Sequence, residues 1–304
     1  NIGYWGDHQI IYLLKLMELS NAYHPNKLKD LLQKDLFVYA NLPYRIKGFD
    51  ALVEDPRNSI IYDYKVEKEI HSRVEQVGSD GKLVTKNDQI YKVNLMEKLL
   101  VMLLAKFSNY VPEGGIWMNT QRPEWNDANN ALVGNGLSMV TLYYIHRFQS
   151  FMQTLVNELN IDSIDVSKEV ATMFNDTASV LKNTTSSLGH SISNEQRFEI
   201  MKALGKNGEA YRNAIYEHGF EGEKVSISIT ALKEFLEHSL VHLKDSIHKN
   251  KREDHLYHSY NLIKFEKEGC SISHLYEMLE GQVSVLSSKA LSATESSEVL
   301  KALR

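Results

Sequence analysis

The chain has 304 residues, 43% of them hydrophobic and 24% charged, so it is long enough to bury a large core. A formal net charge of −5 gives no general attraction to nucleic acid, and no nucleic-acid partner is expected. The single cysteine excludes an intramolecular disulfide and cysteine-rich zinc sites, and no apolar run approaches the roughly 20 residues that cross a bilayer, so no membrane partner is expected.

The chain opens with aromatic and polar residues. The letters NIGYWGDHQ lack the basic and apolar regions of a signal peptide and include no initiator Met, which predicts a fragment or a processed product. Trp5 precedes Asp7 and His8 where a helix is predicted to begin, because DHQIIYLLKLMELS repeats apolar residues at helical spacing. Asp7 has two interpretations: an N-terminal helix cap, or part of a polar and aromatic binding cluster.

Residues 63–93 interrupt the helical pattern that HPNKLKDLLQKDL continues. In YKVEKEIHSRVEQVGSDGKLVTKNDQIYKV, apolar residues alternate around SDGK, which is a good hairpin turn. We therefore predict a small β-hairpin insertion over residues 63–93 in a helical scaffold.

Long helices are predicted for most of the remaining chain. The segments with helical periodicity are NLMEKLLVMLLAKFSNYV, GLSMVTLYYIHRFQSFMQTLVNEL, DVSKEVATMFNDTASVLKNTTSSL, SNEQRFEIMKALGKNGEAYRNAIYEHG, SITALKEFLEHSLVHLKDSIHKNKR and CSISHLYEMLEGQVSVLSSKAL. Ser193 with Gln196 resembles a capping box, and SSKALSATESSEVLKALR is interpreted as a loop between helices. These patterns predict a mainly α fold, with one domain over residues 1–304 built from roughly paired helices.

The segment QRPEWNDANNALVGNG carries the strongest functional signal. It has a plain interpretation as a turn, in which Pro123 stops a preceding helix and Asn126 or Asp127 caps the next one. The alternative is a sugar site, because an aromatic ring covers the apolar face of a pyranose while amides and carboxylates bind its hydroxyls. The side chains of that composition are Arg122, Glu124, Trp125, Asn126, Asp127 and Asn129.

Two clusters of this kind, one at each of two predicted helix starts, indicate a single shared rim. A carboxylic acid held beside an indole and away from bulk water has a raised pKa, as a general acid requires. Both clusters contain a tryptophan and a carboxylate, namely Trp5 with Asp7 and Trp125 with its acidic neighbours.

EWNDANNALVGNGLSMVTLYY resembles the DWNDGMNxVG segment, and the helix after it, of the cellobiose phosphorylase and cyclic β-glucan synthase family of carbohydrate-active enzymes. The resemblance implies an (α/α)₆ toroid in which the aspartate after Trp-Asn is the general acid, a role that falls on Asp127. GYWGDHQIIYLLKL is similar to the family's upstream helix start, whose Asp-Asp pair binds hydroxyls of the glycone sugar. Asp7 matches the second aspartate, and Gly6 replaces the first.

The motifs support this resemblance over roughly residues 1–159, and the support is weak beyond them. Members of the family also possess preceding barrel helices and an N-terminal β-sandwich. The resemblance therefore implies that this chain is an excerpt of a longer polypeptide, whose remainder would be its partner.

An inverting cleavage also needs a proton acceptor. Hydrolysis uses a second carboxylate about 6.5–9.5 Å from the acid, whereas phosphorolysis uses bound inorganic phosphate instead. Glu221 or Glu223, in the carboxylate-rich IYEHGFEGEKVSI, is a candidate base, although such a loop is more often a solvated turn. The family's WWHP-like phosphate-binding motif is not found in this chain, which favours hydrolysis.

The histidines do not predict a metal site. His238 and His242 share a helical face at i and i+4, but the Glu of a His-Glu-x-x-His motif is missing. A polar surface helix is the preferred interpretation for them and for His255 and His258, so no metal is expected. Cys270 has no basic neighbour in sequence and is expected to be structural.

Taken with the resemblance, these features predict an enzyme that cleaves a glycosidic bond of β-linked gluco-oligosaccharides with inversion, as a hydrolase without a cofactor. One alternative is an inverting glycoside phosphorylase that uses inorganic phosphate. A second alternative is a non-catalytic helical toroid that binds carbohydrate or protein through the same rim.

Overall fold

The computed structural model describes residues 7–119 and 131–304, and for residues 7–9 it describes the backbone alone. Helices make up more than half of these residues, which confirms the predicted mainly α class. The helices are α1 Asp7–Tyr23, α2 Lys27–Leu31, α3 Phe49–Glu54, α4 Tyr64–Val77, α5 Leu95–Phe107, α6 Met139–Asn157, α7 Lys168–Thr184, α8 Asn194–His218, α9 Ile229–Lys249, α10 Leu279–Ser287 and α11 Ala293–Ala302.

Short strands join the ends of these helices. They are β1 Phe37–Val38, β2 Tyr44–Ile46, β3 Ile60–Tyr62, β4 Thr85–Lys86, β5 Gln89–Ile90, β6 Lys92–Val93, β7 Tyr110–Val111, β8 Gly115–Trp117, β9 Gly136–Ser138, β10 Ser163–Ser167, β11 Lys224–Ser228, β12 Tyr260–Glu266 and β13 Gly269–His274. Five of them form an antiparallel sheet in the order β13-β12-β9-β8-β7, and the others pair as β1 with β6, β2 with β3, β4 with β5, and β10 with β11.

The central element of the core is α5. Every residue of this helix except Lys98 is buried, as expected for a helix that is apolar on all sides. It packs against α7 and α8, while α6 packs against α9 and α10. None of the helices in the described ranges combines the length and the hydropathy of a transmembrane span.

The N-terminal end of α5 is organised by Glu97, whose side chain is completely buried. Its carboxylate accepts hydrogen bonds from the Tyr39 hydroxyl at 3.0 Å, from the backbone N and the Oγ of Ser167 at 2.8 and 2.6 Å, and from Lys224 Nζ at 3.1 Å. These donors come from three separate segments of the chain. We call this part of the molecule the Glu97 end.

The other end of α5 carries the five-stranded sheet and is called the sheet end. β7 follows α5 almost directly, and β9 runs straight into α6, so the first turn of α6 lies at this end as well. A helix of 13 residues, such as α5, is about 20 Å long, which sets the separation of the two ends.

α1 and α6 run in the same direction. Arg147 Nη2, in the middle of α6, lies 2.6 Å from Glu18 Oε2 of α1. Lys29 of α2, just past the end of α1, contacts Glu158, the C-terminal cap of α6, at 2.8 Å. The first turn of α1, which contains Asp7, therefore points to the sheet end.

The predicted hairpin around SDGK is wrong, because residues 64–77 form helix α4 and SDGK lies in a 3₁₀ turn, Gly78–Lys82. Asp63 Oδ1 caps α4 by accepting hydrogen bonds from the backbone N of Lys65 and of Val66, each at 3.1 Å. A hairpin does occur within residues 63–93, but it joins β4 and β5 through Asn87 and Asp88, whose φ angles are 50° and 62°.

Two assignments near the C-terminus are also corrected. The start of CSISHLYEMLEGQVSVLSSKAL forms strand β13, and its helix begins only at Leu279. The predicted loop in SSKALSATESSEVLKALR contains helix α11, which begins with a capping box between Ser292 and Glu295. The capping box between Ser193 and Gln196, by contrast, is confirmed.

Replacing Glu97 with Ala is expected to lower the free energy of unfolding by about 3 kcal/mol, because the Lys224 ammonium and three other donors lose their acceptor in a buried site. Urea denaturation monitored by circular dichroism measures the change. The control is Glu158→Ala, which removes a half-exposed ion pair with Lys29 and is expected to cost less than about 1 kcal/mol. Equal losses in the two variants would contradict the central role of Glu97.

Candidate functional site

Most of the site residues predicted from the sequence lie outside the described residues. These are Trp5, Arg122, Glu124, Trp125, Asn126, Asp127 and Asn129. Asp7 and His8 belong to the first turn of α1, where the backbone alone is described. Their assignment to a sugar site therefore stays a prediction, but the backbone that flanks both clusters is described.

The two flanks of residues 120–130 are fixed side by side at the sheet end. The backbone N of Gly134 donates to Met118 O at 2.8 Å, and the backbone N of Met118 donates to Gly136 O at 2.8 Å. The indole Nε1 of Trp117 donates to Gly134 O, also at 2.8 Å. The backbone on either side of residues 120–130, which contain the predicted acid Asp127, is thus held together at the sheet end. The first turn of α1 lies at the same end of the core.

Buried amide groups hold the sheet end together. Asn119 is 2% exposed, and its Nδ2 donates to Asn109 Oδ1 at 2.8 Å. Asn261, which is completely buried, donates from Nδ2 to Gly114 O at 2.8 Å and to Asn250 Oδ1 at 2.7 Å. Paired amides in a buried position stabilise one arrangement of the neighbouring backbone.

An apolar cluster covers the flanks of residues 120–130, and we call it the Tyr260 cluster. It comprises Met118, Leu132, Val140, Tyr144, Tyr260, Leu275 and Met278. The Tyr260 hydroxyl donates to Glu280 Oε2 at 2.9 Å, and Glu280 stands exposed in the first turn of α10. A carboxylate is thereby bound to a member of the cluster that covers the flanks of residues 120–130.

Two other carboxylates at the sheet end, Glu113 and Glu277, are neutralised by cations. Glu113 pairs with Arg197 and lies 2.9 Å from Lys249 Nζ, and Glu277 lies 3.1 Å from an Arg252 nitrogen. Glu280 differs because its partner in the described part of the chain is a neutral hydroxyl. Sequence reasoning did not single out Glu280, since its segment was predicted to be one continuous helix.

Two histidines stack beside this cluster. The rings of His258 and His274 are 4.1 Å apart and 8° from parallel. His274 Nδ1 lies 2.8 Å from Asn261 Oδ1. Burial, together with the charges of His274 and Arg252, lowers the pKa of His258 to about 4. His258 is therefore neutral over most of the pH range in which an unperturbed histidine takes up a proton.

The prediction of polar surface helix is wrong for three of the four histidines. His242 is completely buried in α9, with Nε2 at 2.8 Å from Leu181 O, and His255 and His258 lie outside the helices. Among the residues that the structure describes, no group of three His, Cys, Asp or Glu side chains converges to hold a metal ion. Cys270 is completely buried in β13, and burial raises the pKa of its thiol to about 11.

The two candidate bases, Glu221 and Glu223, lie at the Glu97 end. Both contact Lys168 Nζ, at 3.1 and 2.9 Å, on an exposed surface at the first turn of α7. Lys168 directly follows Ser167, which binds Glu97. The structure thus places these two carboxylates at the opposite end of α5 from the flanks of residues 120–130, and their role as base stays a prediction.

A cavity of about 420 Å³ also opens at the Glu97 end. Aromatic and charged side chains line it together: Tyr39, Tyr44, Tyr211, Tyr216, Phe220, Arg45, Asp63, Glu69 and Arg73. Arg45 Nε donates to Asp63 Oδ2 at 2.6 Å, and the Arg45 guanidinium lies 5.5 Å from the centre of the Tyr216 ring. The cavity has the size of a small-molecule site.

No protein-family model and no curated protein matches this chain. The functional interpretation therefore rests on the residues and on the geometry described above.

The lowered pKa of His258 predicts a pH dependence of stability. At this position the unfolded chain binds a proton near pH 6.5, whereas the folded chain binds it only near pH 4. Between these pH values the proton therefore favours the unfolded chain, and the free energy of unfolding decreases as the pH falls. Urea denaturation at several pH values between about 4 and 6.5 gives the free energy of unfolding at each pH. Its decrease with falling pH should be steeper for the wild type than for His258→Gln. Identical slopes in the two proteins would contradict the assignment.

Proposed function

We propose that the protein is a carbohydrate-active enzyme that hydrolyses β-linked gluco-oligosaccharides with inversion, with Asp127 as general acid. The observation that carries the proposal is that the first turn of α1, with Asp7, and both flanks of residues 120–130 lie at the sheet end. Two polar and aromatic clusters that are far apart in the sequence thus start from the same end of the core, as a shared sugar-binding rim requires.

In this proposal the acid protonates the oxygen of the leaving sugar while the glycosidic bond breaks. Trp5 and Trp125 supply aromatic faces for the sugar rings. Asp7 and His8 bind hydroxyls on one side, as the family resemblance implies for Asp7. The remaining hydroxyls are contacted by Arg122, Glu124, Asn126 and Asn129.

The scaffold in this proposal is a helical toroid of the (α/α)₆ type, complete or partial. Its support is the way the long helices pack side by side: α7 lies against both α8 and α9, α6 lies against α9, and α1 lies against α6. The elongated and almost fully buried α5 is consistent with a helix of an inner layer.

Replacing Asp127 with Asn in the full-length polypeptide is expected to reduce hydrolysis of β-linked gluco-oligosaccharides by about 10²–10⁴-fold, because an amide cannot donate the proton. The variant should still cleave β-glucosyl fluoride, whose leaving group needs no protonation. Release of reducing sugar and of fluoride measures the two reactions. Asp176→Asn, at an exposed position of α7, is the matched control. Unchanged oligosaccharide hydrolysis by Asp127→Asn would remove the proposed role.

Inorganic phosphate separates hydrolysis from phosphorolysis. A hydrolase releases free glucose whether or not phosphate is present, whereas an inverting phosphorylase makes α-glucose 1-phosphate only with phosphate. We expect the hydrolytic outcome, because the phosphate-binding motif of the related phosphorylases is not found in the sequence.

The cavity at the Glu97 end favours carbohydrate binding without catalysis as a second candidate function. It combines aromatic rings with a guanidinium and carboxylates, which is the mixture that sugars bind.

If binding is the function, Arg45→Ala should weaken the affinity for cellobiose at least about tenfold, because the cavity loses a hydrogen-bonding group and the partner of Asp63. Isothermal titration calorimetry measures the affinity. Lys65→Ala, at a neighbouring surface lysine that is 87% exposed, should leave it unchanged. Equal affinity in all three proteins would exclude this cavity.

A further inference from the structure

The cavity at the Glu97 end lies at the opposite end of α5 from the flanks of residues 120–130, and its lining residues all belong to the described ranges. Its volume of about 420 Å³ falls in the range of sites for small organic molecules. The lining residues therefore indicate a ligand class whether or not the protein cleaves glycosidic bonds.

Two aromatic rings of the lining have their faces covered by other side chains. Phe220 stacks between Tyr39 and Tyr91, with ring centres 5.0 and 4.8 Å apart and planes 15° and 17° from parallel. The Lys98 ammonium lies 3.9 Å from the centre of the Tyr39 ring. Tyr39 and Phe220 therefore present ring edges to the cavity, because their faces are used inside the protein.

Ring edges distinguish between two kinds of ligand. The edge of an aromatic ring carries positive partial charge and attracts the face of another aromatic ring, whereas the CH groups of a pyranose pack on an aromatic face. Aliphatic side chains also line the cavity, and they offer no partner to sugar hydroxyls. These residues are Leu42, Val66, Val84 and Ile215.

Arg45 supplies a guanidinium that is fixed in place and still has donors for a ligand. Its Nε donates to Asp63 Oδ2 at 2.6 Å, and the group lies 5.5 Å from the centre of the Tyr216 ring. Among the described residues this side chain bonds through Nε, which leaves both terminal nitrogens to a ligand. The Arg45 side chain is 37% exposed, so a ligand can reach it.

The carboxylate of Asp63 is already used by the protein. Its Oδ1 accepts hydrogen bonds from the backbone N of Lys65 and of Val66, each at 3.1 Å, and its Oδ2 accepts from Arg45. The hydrogen bond from Val66, together with Arg45, lowers the pKa of this carboxyl below its ordinary value. Glu69, the other carboxylate of the lining, is 58% exposed and lies 4.0 Å from Lys65, so solvent screens its charge.

Two further side chains bring donors to the cavity. Arg73 is held by a hydrogen bond of 3.1 Å from its Nη1 to Leu83 O. The Tyr216 hydroxyl accepts a hydrogen bond from the backbone N of Ile46 at 3.0 Å, so its own proton is left to donate, and burial raises the pKa of this phenol. Such a set of donors fits a ligand group that only accepts hydrogen bonds, such as a carboxylate.

We propose that the cavity at the Glu97 end binds a small aromatic carboxylic acid. The edges of Tyr39 and Phe220 contact the face of its ring, and Arg45 and Arg73 bind its carboxylate. A guanidinium can bind both oxygens of a carboxylate at once, which makes this contact stronger than a hydrogen bond to a neutral group. A neutral sugar is the competing ligand for the same cavity.

Binding of 4-hydroxyphenylacetate to the wild-type protein, measured by isothermal titration calorimetry, tests the proposal. We expect its uncharged amide, 4-hydroxyphenylacetamide, to bind at least about tenfold more weakly, because the amide loses the charge-assisted hydrogen bonds to the guanidinium groups. The two compounds have the same ring, so they differ only in the charged group. Equal affinity of the acid and the amide would overturn the proposal, and so would the absence of acid binding at millimolar concentration.

Two sugars test the preference for an aromatic ring. Glucuronate carries a carboxylate without an aromatic ring, and cellobiose carries neither, so both should bind at least about tenfold more weakly than 4-hydroxyphenylacetate. Tighter binding of glucuronate than of the aromatic acid would identify a sugar acid as the ligand and overturn the proposal. Tighter binding of cellobiose would do the same in favour of a neutral sugar.

Substitutions locate the binding site. Arg45→Gln and Arg73→Gln should each weaken the affinity for 4-hydroxyphenylacetate at least about tenfold and that for the amide by less than about threefold. Arg304→Gln, at the exposed last residue, is the matched control and should change neither affinity. Full affinity for the acid in both cavity variants would place its site elsewhere and overturn the proposal.

Loss of fold is separated from loss of the contact, because an unfolded variant loses both the acid and the amide and its circular dichroism changes. The wild-type comparison and the other arginine variant then decide. None of these titrations depends on turnover of β-linked gluco-oligosaccharides, so the proposed function and this inference fail independently.

Discussion

The fold depends on one buried negative charge. Glu97 has no access to solvent, so its carboxylate must be compensated inside the protein, and a tyrosine, a serine and a lysine from three segments do so. These contacts fix the first turn of α5 against the segments that lead into α7 and α9. α5 is buried along its whole length, so fixing its first turn also fixes the position of its last turn. The last turn then sets where β7, and with it the five-stranded sheet, begins.

Local patterns in the sequence predicted most of the helices, because helical periodicity and capping residues act over a few positions. The Ser193 capping box is of this kind. Residues 64–77 show where such prediction fails. Their valines and isoleucine fit both the alternation of a strand and the spacing of a helix, and the cap formed by Asp63 favours the helix. The sheet could not be predicted, since it pairs residues 110–117 with residues 136–138 and 260–274, which are distant in the sequence. Three of its five strands, β7, β8 and β9, have only two or three residues and leave no periodic signal.

In the candidate site, too, local sequence features could be predicted, whereas contacts between distant residues could not. The side chains near Trp125 predict a sugar site, because sugar recognition has a characteristic composition, and that chemical type stays a prediction. The environment of each carboxylate was not readable: Glu221, Glu223 and Glu280 are all acidic residues near turns, and only the fold reveals that two of them pair with Lys168 while the third binds Tyr260. Tertiary packing therefore decides which partner each carboxylate has.

The paired backbone of Met118, Gly134 and Gly136 has an evolutionary consequence. Because main-chain hydrogen bonds hold these flanks together, we expect them to tolerate many substitutions in residues 120–130. Insertions, deletions or wholesale exchange of residues 120–130 would leave the surrounding scaffold in place. Under the proposed function, exchange of residues 120–130 would change the sugar preference while the frame around them is kept, which makes this segment the natural target for directed selection.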